Sequence, residues 1–150
     1  MRIGLISDTH NLLRPQVLEW LRGSDHILHA GDICGEPVLQ ELARIAPLTA
    51  VRGNNDQGAW AQRLPERELV RLAGAPILVL HDLADLRRAP DASGAATVVT
   101  GHSHRPGVEQ RDGVLYVNPG SAGPRRFKLP ISAGELLVQD GRVTVNLVQF

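Results

Sequence analysis

Apolar residues follow two periods along the chain. Residues 2–7 (RIGLIS) form a short, β-branched apolar run, which predicts a buried strand. Residues 15–22 (PQVLEWLR) put Val17, Leu18 and Leu21 on one face, with Pro15 in the first turn and Gly23 past the end, which predicts a helix. Residues 26–30 predict a second strand. Residues 37–46 predict a second helix with Val38, Leu39, Leu42 and Ile45 on one side, and 48–52 a third strand. This β-α-β-α-β alternation, with short connections, implies a parallel sheet whose strands end along one edge. The pattern then changes. Residues 67–72 and 76–81 predict a hairpin around Ala73–Gly74–Ala75, and 96–100 a further strand. Two more hairpins turn on Asp112–Gly113 (strands 107–111 and 114–118) and on Asp140–Gly141 (strands 134–139 and 142–149). Segment 82–95 predicts a helical turn plus a loop. Many strands with few helices imply two sheets packed face to face with helices outside.

The 150 residues fit a single domain, 1–150. Lys+Arg and Asp+Glu both number 16, so the whole-molecule field gives no reason to expect specific nucleic-acid binding. No apolar run approaches the roughly 20 residues of a membrane span. MRIGLISDTH has the composition of a first strand rather than of a signal peptide. Cys34 is the only cysteine, so no intramolecular disulfide is possible. A cytoplasmic protein without a membrane partner is expected.

The candidate chemistry lies at strand ends. Asp8 and His10 follow the first strand, Asp32 the second, and Gly53–Asn54–Asn55–Asp56 the third. His81 ends the strand at 76–81, and Gly101–His102–Ser103–His104 ends the one at 96–100. In open α/β sheets the functional crevice lies at the carboxyl ends of the strands. Asp8 and His10 offer a carboxylate and an imidazole two residues apart, and His102 and His104 offer two imidazoles at the same spacing. Asp32 can bridge two cations through its two oxygens, and Asn54 supplies a neutral carbonyl oxygen. Several imidazoles with two carboxylates suit Mn, Fe, Zn, Ni or Co better than Ca or Mg. Two such cations about 3.5–4 Å apart can clamp a phosphoryl group for in-line attack. Gly31, Gly53 and Gly101 are expected to let the backbone turn sharply and bring each ligand close.

The ordered set DTH (8–10), GD (31–32), GNND (53–56), His81 and GHSH (101–104), with NPGS at 118–121, resembles the calcineurin-like metallophosphoesterases over nearly the whole chain. The NPGS loop is typical of their compact bacterial and archaeal phosphodiesterase branch. The resemblance implies an α/β (α+β) fold, a four-layer αββα arrangement in which a β-sandwich of two mixed sheets is flanked by helices. It implies two divalent transition-metal ions, manganese foremost, with Fe, Ni, Zn and Co as alternatives. Asp8, His10, Asp32 and His104 would hold one, and Asp32, Asn54, His81 and His102 the other, with Asp32 bridging. The implied activity is a phosphodiesterase acting on a small phosphate ester, with a metal-bridging hydroxide as nucleophile. A phosphomonoesterase or nucleotide phosphatase on the same site, or a catalytically weak metal-binding scaffold, is the alternative. Homo-oligomers occur in the family.

Two departures stand out. Many relatives carry His where this chain has Asn55, which cannot release a proton near neutral pH but can donate a hydrogen bond to a phosphoryl oxygen. Asp82 follows His81 where Gly is frequent, either behind the ligands or capping the next helix. Arg105 is placed to contact a substrate phosphate, or is solvated. His29 reads as a buried histidine making one hydrogen bond, able to orient Asp32. Asp56 either hydrogen-bonds near the site or caps a helix beginning at Gln57. Cys34 reads as a small buried side chain, His26 as a surface strand-start residue, and Trp20 and Trp60 as packing residues. The basic run Arg125–Arg126–Phe127–Lys128 lies either at the rim of the cleft or in a solvated loop.

Overall fold

The computed structural model describes residues 1–88 and 94–150. The first third is the expected alternation of β1 (Arg2–Ile6), α1 (Pro15–Leu21), β2 (His26–His29), α2 (Glu36–Ala43) and β3 (Leu48–Ala50). A short α3 (Ala59–Gln62) leads to β4 (Arg67–Leu72) and β5 (Ala75–Leu80). Then come α4 (Leu83–Arg88), β6 (Thr97–Val99), β7 (Gly107–Arg111), β8 (Val114–Asn118), β9 (Ser132–Gln139) and β10 (Arg142–Gln149). The helical turn expected in 82–95 is α4; the loop expected after it falls partly outside the described residues.

Two five-stranded mixed sheets form, ordered β10-β9-β1-β2-β3 and β4-β5-β6-β8-β7. β1, β2 and β3 run parallel, as do β5, β6 and β8. The layering follows from strand alternation. Ile3, Leu5, Leu28 and Leu136 of the first sheet meet Ile77, Val79, Val99 and Val117 of the second in a buried core. Ile6 and Ile27 face the other way, onto Val17, Leu21, Val38 and Leu42 of α1 and α2. Leu78, Leu80 and Val98 face Leu86 of α4 on the far side. The result is the αββα sandwich. Gly4 is where α1 comes closest, since a Cβ there would lie 2.6 Å from Leu21 Cδ2. Trp20 and Trp60 pack against the helical side of the first sheet.

Boundaries differ from the sequence reading in places with local causes. The regular part of α2 starts at Glu36 and stops at Ala43, earlier than the expected 46, and two tighter bonds, Arg44 N–H to Glu41 O and Ile45 N–H to Leu42 O, finish it before Pro47. The expected helix at Gln57 begins only at Ala59, because Gly58 (φ 101°) holds the backbone out of the helical region. The first hairpin turns on two residues, Ala73–Gly74, not three. All three hairpin turns have both central residues at positive φ: Ala73 48° and Gly74 80°, Asp112 51° and Gly113 77°, Asp140 52° and Gly141 77°. Ala is the poor choice in this set, since a Cβ in the left-handed region costs roughly 1–2 kcal/mol. Ala73→Asp, which copies the other two turns, is therefore expected to raise Tm by about 2–4 °C. A thermal melt showing no rise would mean that the turn is not strained.

Candidate metal centre

The carboxyl ends of β1, β2 and β3 in one sheet and of β5 and β6 in the other converge on one edge of the sandwich. The first sheet delivers Asp8, His10, Asp32 and Asn54, and the second delivers His81, His102 and His104. The ligand loops touch one another here without spacers, both between the sheets and within the first. A Cβ on Gly101 would lie 1.9 Å from Ser7 Oγ and 2.7 Å from Asp8 Oδ2, and one on Gly53 would lie 2.2 Å from Asp32 Oδ1. Of the three glycines expected to permit sharp turns, only Gly31 has positive φ, at 97°. Gly53 and Gly101 are required by close approach instead. The conformational strain sits on the ligands themselves: Asp8 (54°), His10 (44°), Asp32 (54°), His102 (71°) and His104 (59°) all lie in the left-handed region. Asp and His tolerate it best among residues with a Cβ, and such strain concentrates at functional sites.

The ligand atoms form two overlapping groups. Asp8, His10 and His104 present atoms mutually within 4.8 Å, and so do Asp8, Asp32 and His81. Asp8 Oδ1 is 3.4 Å from His104 Nε2 and 4.0 Å from His81 Nε2. Asp32 Oδ2 is 3.4 Å from His81 Nε2 and 3.6 Å from His10 Nε2. Both carboxylates therefore reach both groups, where the sequence reading gave the shared position to Asp32 alone. Asn54 Oδ1 lies 3.2 Å from His102 Nδ1 on the exposed side of the cleft, and the His102 and His81 rings stand edge to face at 5.2 Å.

The donor set fits a divalent cation. Asp8 Oδ1 and His81 Nε2 are buried, face this cluster, and have no hydrogen-bond partner among the described residues. Unpartnered buried polar atoms are costly, and a cation between them removes the cost. His81 Nδ1 donates to Ala30 O at 2.7 Å, which leaves Nε2 as a bare lone pair aimed into the cluster. Burial works against protonating His81, but Asp32 and Asp8 outweigh it and raise its pKa. Burial also works against the Asp32 charge, yet the neighbouring His81 ring and two bonds from Asn55 hold its pKa well below the usual carboxylate range. His10 is lowered by burial, with His104 and the Arg126 guanidinium adding to the effect against Asp32 and Asp8.

Asn55 gives its backbone N–H to Asp32 Oδ1 (2.9 Å) and its side-chain amide to Asp32 Oδ2 (2.8 Å). It thus holds a carboxylate instead of pointing at open cleft. Asp56 is buried and accepts three backbone N–H groups at 2.8 Å each, from Ile33, Cys34 and Gly53, tying the β2 and β3 loops together. It caps no helix. Asp82 serves both of its readings: Oδ1 accepts Ala84 N–H at the start of α4, and Oδ2 lies 3.8 Å from His102 Nε2. Arg105 is exposed. His26, half-buried rather than on the open surface, lies 2.8 Å from Thr49 Oγ1. Sequence reasoning missed Asn118, whose amide donates to Gly101 O and Ser103 Oγ and whose oxygen accepts Gly120 N–H. Its NPGS motif was the available signal. Cys34 is half-buried, not fully buried; its Sγ lies 3.6 Å from His10 Nδ1, and burial, with Asp56 next, pushes the thiol pKa up to about 11.

His29 is fully buried and makes two bonds. Gly31 N–H donates to Nδ1, so Nε2 carries the proton and gives it to Thr9 Oγ1, which donates to Ile33 O. The ring links the β1 and β2 ligand loops in its neutral form, and burial depresses its pKa to about 3. Between pH 3 and 6.5 the unfolded chain binds the proton that the folded chain refuses. Stability from this group is complete above pH 6.5 and falls with pH, by about 2 kcal/mol at pH 5. His29→Gln is expected to remove that part of the slope in urea melts of metal-free protein at pH 7 and 5. Parallel slopes in the two proteins would disprove it.

Residues 1–141 match the calcineurin-like phosphoesterase superfamily domain. The chain belongs to this family. A probable metallophosphoesterase of Methanothermobacter thermautotrophicus is 31% identical over 142 residues, covering 87% of this chain and 82% of its own. A phosphodiesterase of Methanocaldococcus jannaschii is 27% identical over 139 residues, covering 80% and 83%. The crystal structure of Vps29 complexed with Zn²⁺ from Entamoeba histolytica superposes with a TM-score of 0.79 at 22% identity, over 99% of each chain. The metallophosphoesterase fold is thus shared in full, and the family supports a hydrolase that binds divalent metal. No helix among the described residues is long and apolar enough to cross a membrane.

Proposed function

We propose that the chain is a phosphodiesterase using two divalent transition-metal ions, with manganese first among the candidates. Asp8, His10, Asp32 and His104 would hold one ion, and Asp32, Asn54, His81 and His102 the other. The observation that carries this is the pair of unpartnered buried atoms, Asp8 Oδ1 and His81 Nε2, within a cluster of imidazoles and carboxylates. Bound, the ions supply a water of lowered pKa and positive charge for the phosphoryl oxygens. The chain's own residues do the rest. His81 is fixed in one tautomer by Ala30 O, Asp32 is kept ionised and oriented by Asn55, and Asp56 and Asn118 lock the loops that carry the ligands. In hydrolysis a water oxygen bonds to phosphorus, and the ester oxygen leaves with the bonding pair. Asn55 offers that oxygen no proton, and a missing general acid is worth about 10²–10⁴-fold, so good leaving groups are favoured.

The test uses metal-stripped protein and add-back of Mn, Ni, Zn or Mg, with bis-p-nitrophenyl phosphate and p-nitrophenyl phosphate as substrates. Metal-restored cleavage is expected, faster on the diester. A faster monoester reaction would move the assignment to a phosphomonoesterase. No turnover despite two bound equivalents would leave a metal-binding scaffold.

A further inference from the structure

Two features border the metal centre. The first is the loop Arg125–Lys128. The segment before it lies against the β1 ligand loop: Ala122 N–H donates to Ser7 O, Ser121 Oγ to Asp8 O, and Arg14 Nε to Gly123 O. A Cβ on Gly123 would lie 2.1 Å from Thr9 O. The four residues that follow are all exposed. Arg125, Arg126 and Lys128 have no side-chain hydrogen bond or ion pair among the described residues. Arg2, Arg44, Arg52, Arg63 and Arg111, in contrast, each face a carboxylate. Three unpaired cations beside a phosphoryl site form an electrostatic seat for a further anion.

The second feature is a groove of about 430 Å³ on the His102 side, lined by Leu83, His102, Arg105, Val108, Tyr116 and Asn118. Its walls are partly apolar, with one aromatic ring, Tyr116, and two carboxylates, Asp82 and Glu109; its volume suits a nucleoside-sized group, and Arg105 in its lining has no side-chain partner among the described residues. The third observation concerns the leaving group. Asn55 spends its side-chain amide on Asp32 and is no acid.

We infer that the preferred substrate is a nucleotide phosphoanhydride, a pyrophosphate diester, with its nucleoside in the groove beside His102 and its second phosphate on the Arg125–Lys128 loop. The inference rests on the phosphodiesterase reading and names its substrate class. Water's oxygen bonds to the phosphorus held at the ligand cluster and its protons pass to solvent, while the bridging P–O bond breaks and the bridging oxygen leaves on the second phosphate with the electron pair. That phosphate has a second pKa of about 6, so it departs without taking a proton at neutral pH. A sugar alkoxide, a far stronger base, must take one, and this site does not supply it.

The test compares diadenosine 5′,5′-pyrophosphate with adenylyl-adenosine (ApA), two substrates with the same two nucleosides, in Mn-loaded protein, with bis-p-nitrophenyl phosphate as reference. The pyrophosphate should give AMP with kcat/KM on the order of 10²-fold or more above that of ApA. The double variant Arg125→Ala/Arg126→Ala should raise KM for the pyrophosphate about tenfold and cut the pyrophosphate to bis-p-nitrophenyl phosphate ratio of kcat/KM by a similar factor. Added salt should weaken pyrophosphate binding in the unaltered protein more than in the double variant. Val108→Glu should raise KM for both nucleotide substrates. Equal rates on the pyrophosphate and ApA, or an unchanged ratio in the double variant, would overturn the inference while bis-p-nitrophenyl phosphate turnover left the phosphodiesterase reading standing. Failure on every diester would overturn both.

Discussion

Asp32→Asn is expected to lower kcat/KM on a chromogenic phosphodiester by on the order of 10³-fold and to remove about one equivalent of bound metal. The substitution keeps volume and removes charge. Asp32 Oδ2 stands 3.4 Å from His81 Nε2 and 3.6 Å from His10 Nε2, so its charge serves both halves of the cluster. Losing it leaves Asp8 as the sole carboxylate shared between the two groups. The fold itself should persist with a modest loss of stability, because the amide keeps one acceptor for Asn55 while its NH2 faces the other donor. This separates the effect from simple unfolding. With Mn²⁺ at a hundredfold excess over its Kd, the unaltered protein should gain about 2.7 kcal/mol of stability from one site. The variant should melt slightly lower without metal and gain less from added metal. His81→Ala should behave likewise, through loss of a ligand whose tautomer Ala30 O fixes. Full metal content together with full turnover in Asp32→Asn would refute the ligand assignment.

The parts of the molecule governed by local rules were legible in the sequence. Asp112–Gly113 and Asp140–Gly141 turn as their residues dictate, because the left-handed conformation is cheap only for such pairs. The parallel β1–β3 unit follows from its alternating elements, and the two-sheet architecture from the strand-rich remainder. The strand-end positions named for metal chemistry do come together, since parallel strands must end on one edge. What stayed hidden depends on neighbours remote in sequence. Nothing around Asp56 announces that its carboxylate collects backbone N–H groups from residues 33, 34 and 53. Nothing around Asn55 shows that its amide is committed to Asp32, which changes its expected partner from substrate to ligand. Gly53 and Gly101 are the same case in reverse. Their glycine character is readable, but the reason is the side chains of Asp32 and Ser7 pressed against them, and not a turn.

Asp56→Ala should therefore be the most damaging change outside the ligand set. It strips the acceptor from three backbone donors at once, two of them buried and one part-buried, each at 2.8 Å in the native protein. A buried donor left unsatisfied costs about 1–3 kcal/mol, so the total is roughly 3–6 kcal/mol after partial relief by water. For a domain whose whole stability is about 5–15 kcal/mol, that is a large fraction, and Tm should fall by roughly 10–20 °C. The damage is also directed. The three donors belong to the loops that carry Asp32 and Asn54, so their relative position loosens even in molecules that stay folded. Metal affinity should drop about 10–100-fold, the range seen when a partner behind a ligand is lost. Asp56→Asn tests the same idea in a form that folds more readily. One of its two oxygens becomes an amide donor and repels the N–H it faces, so both stability and affinity should fall by part of the alanine effect. Tm values for both variants within about 2 °C of the parent would show that the loops are held by something other than this carboxylate.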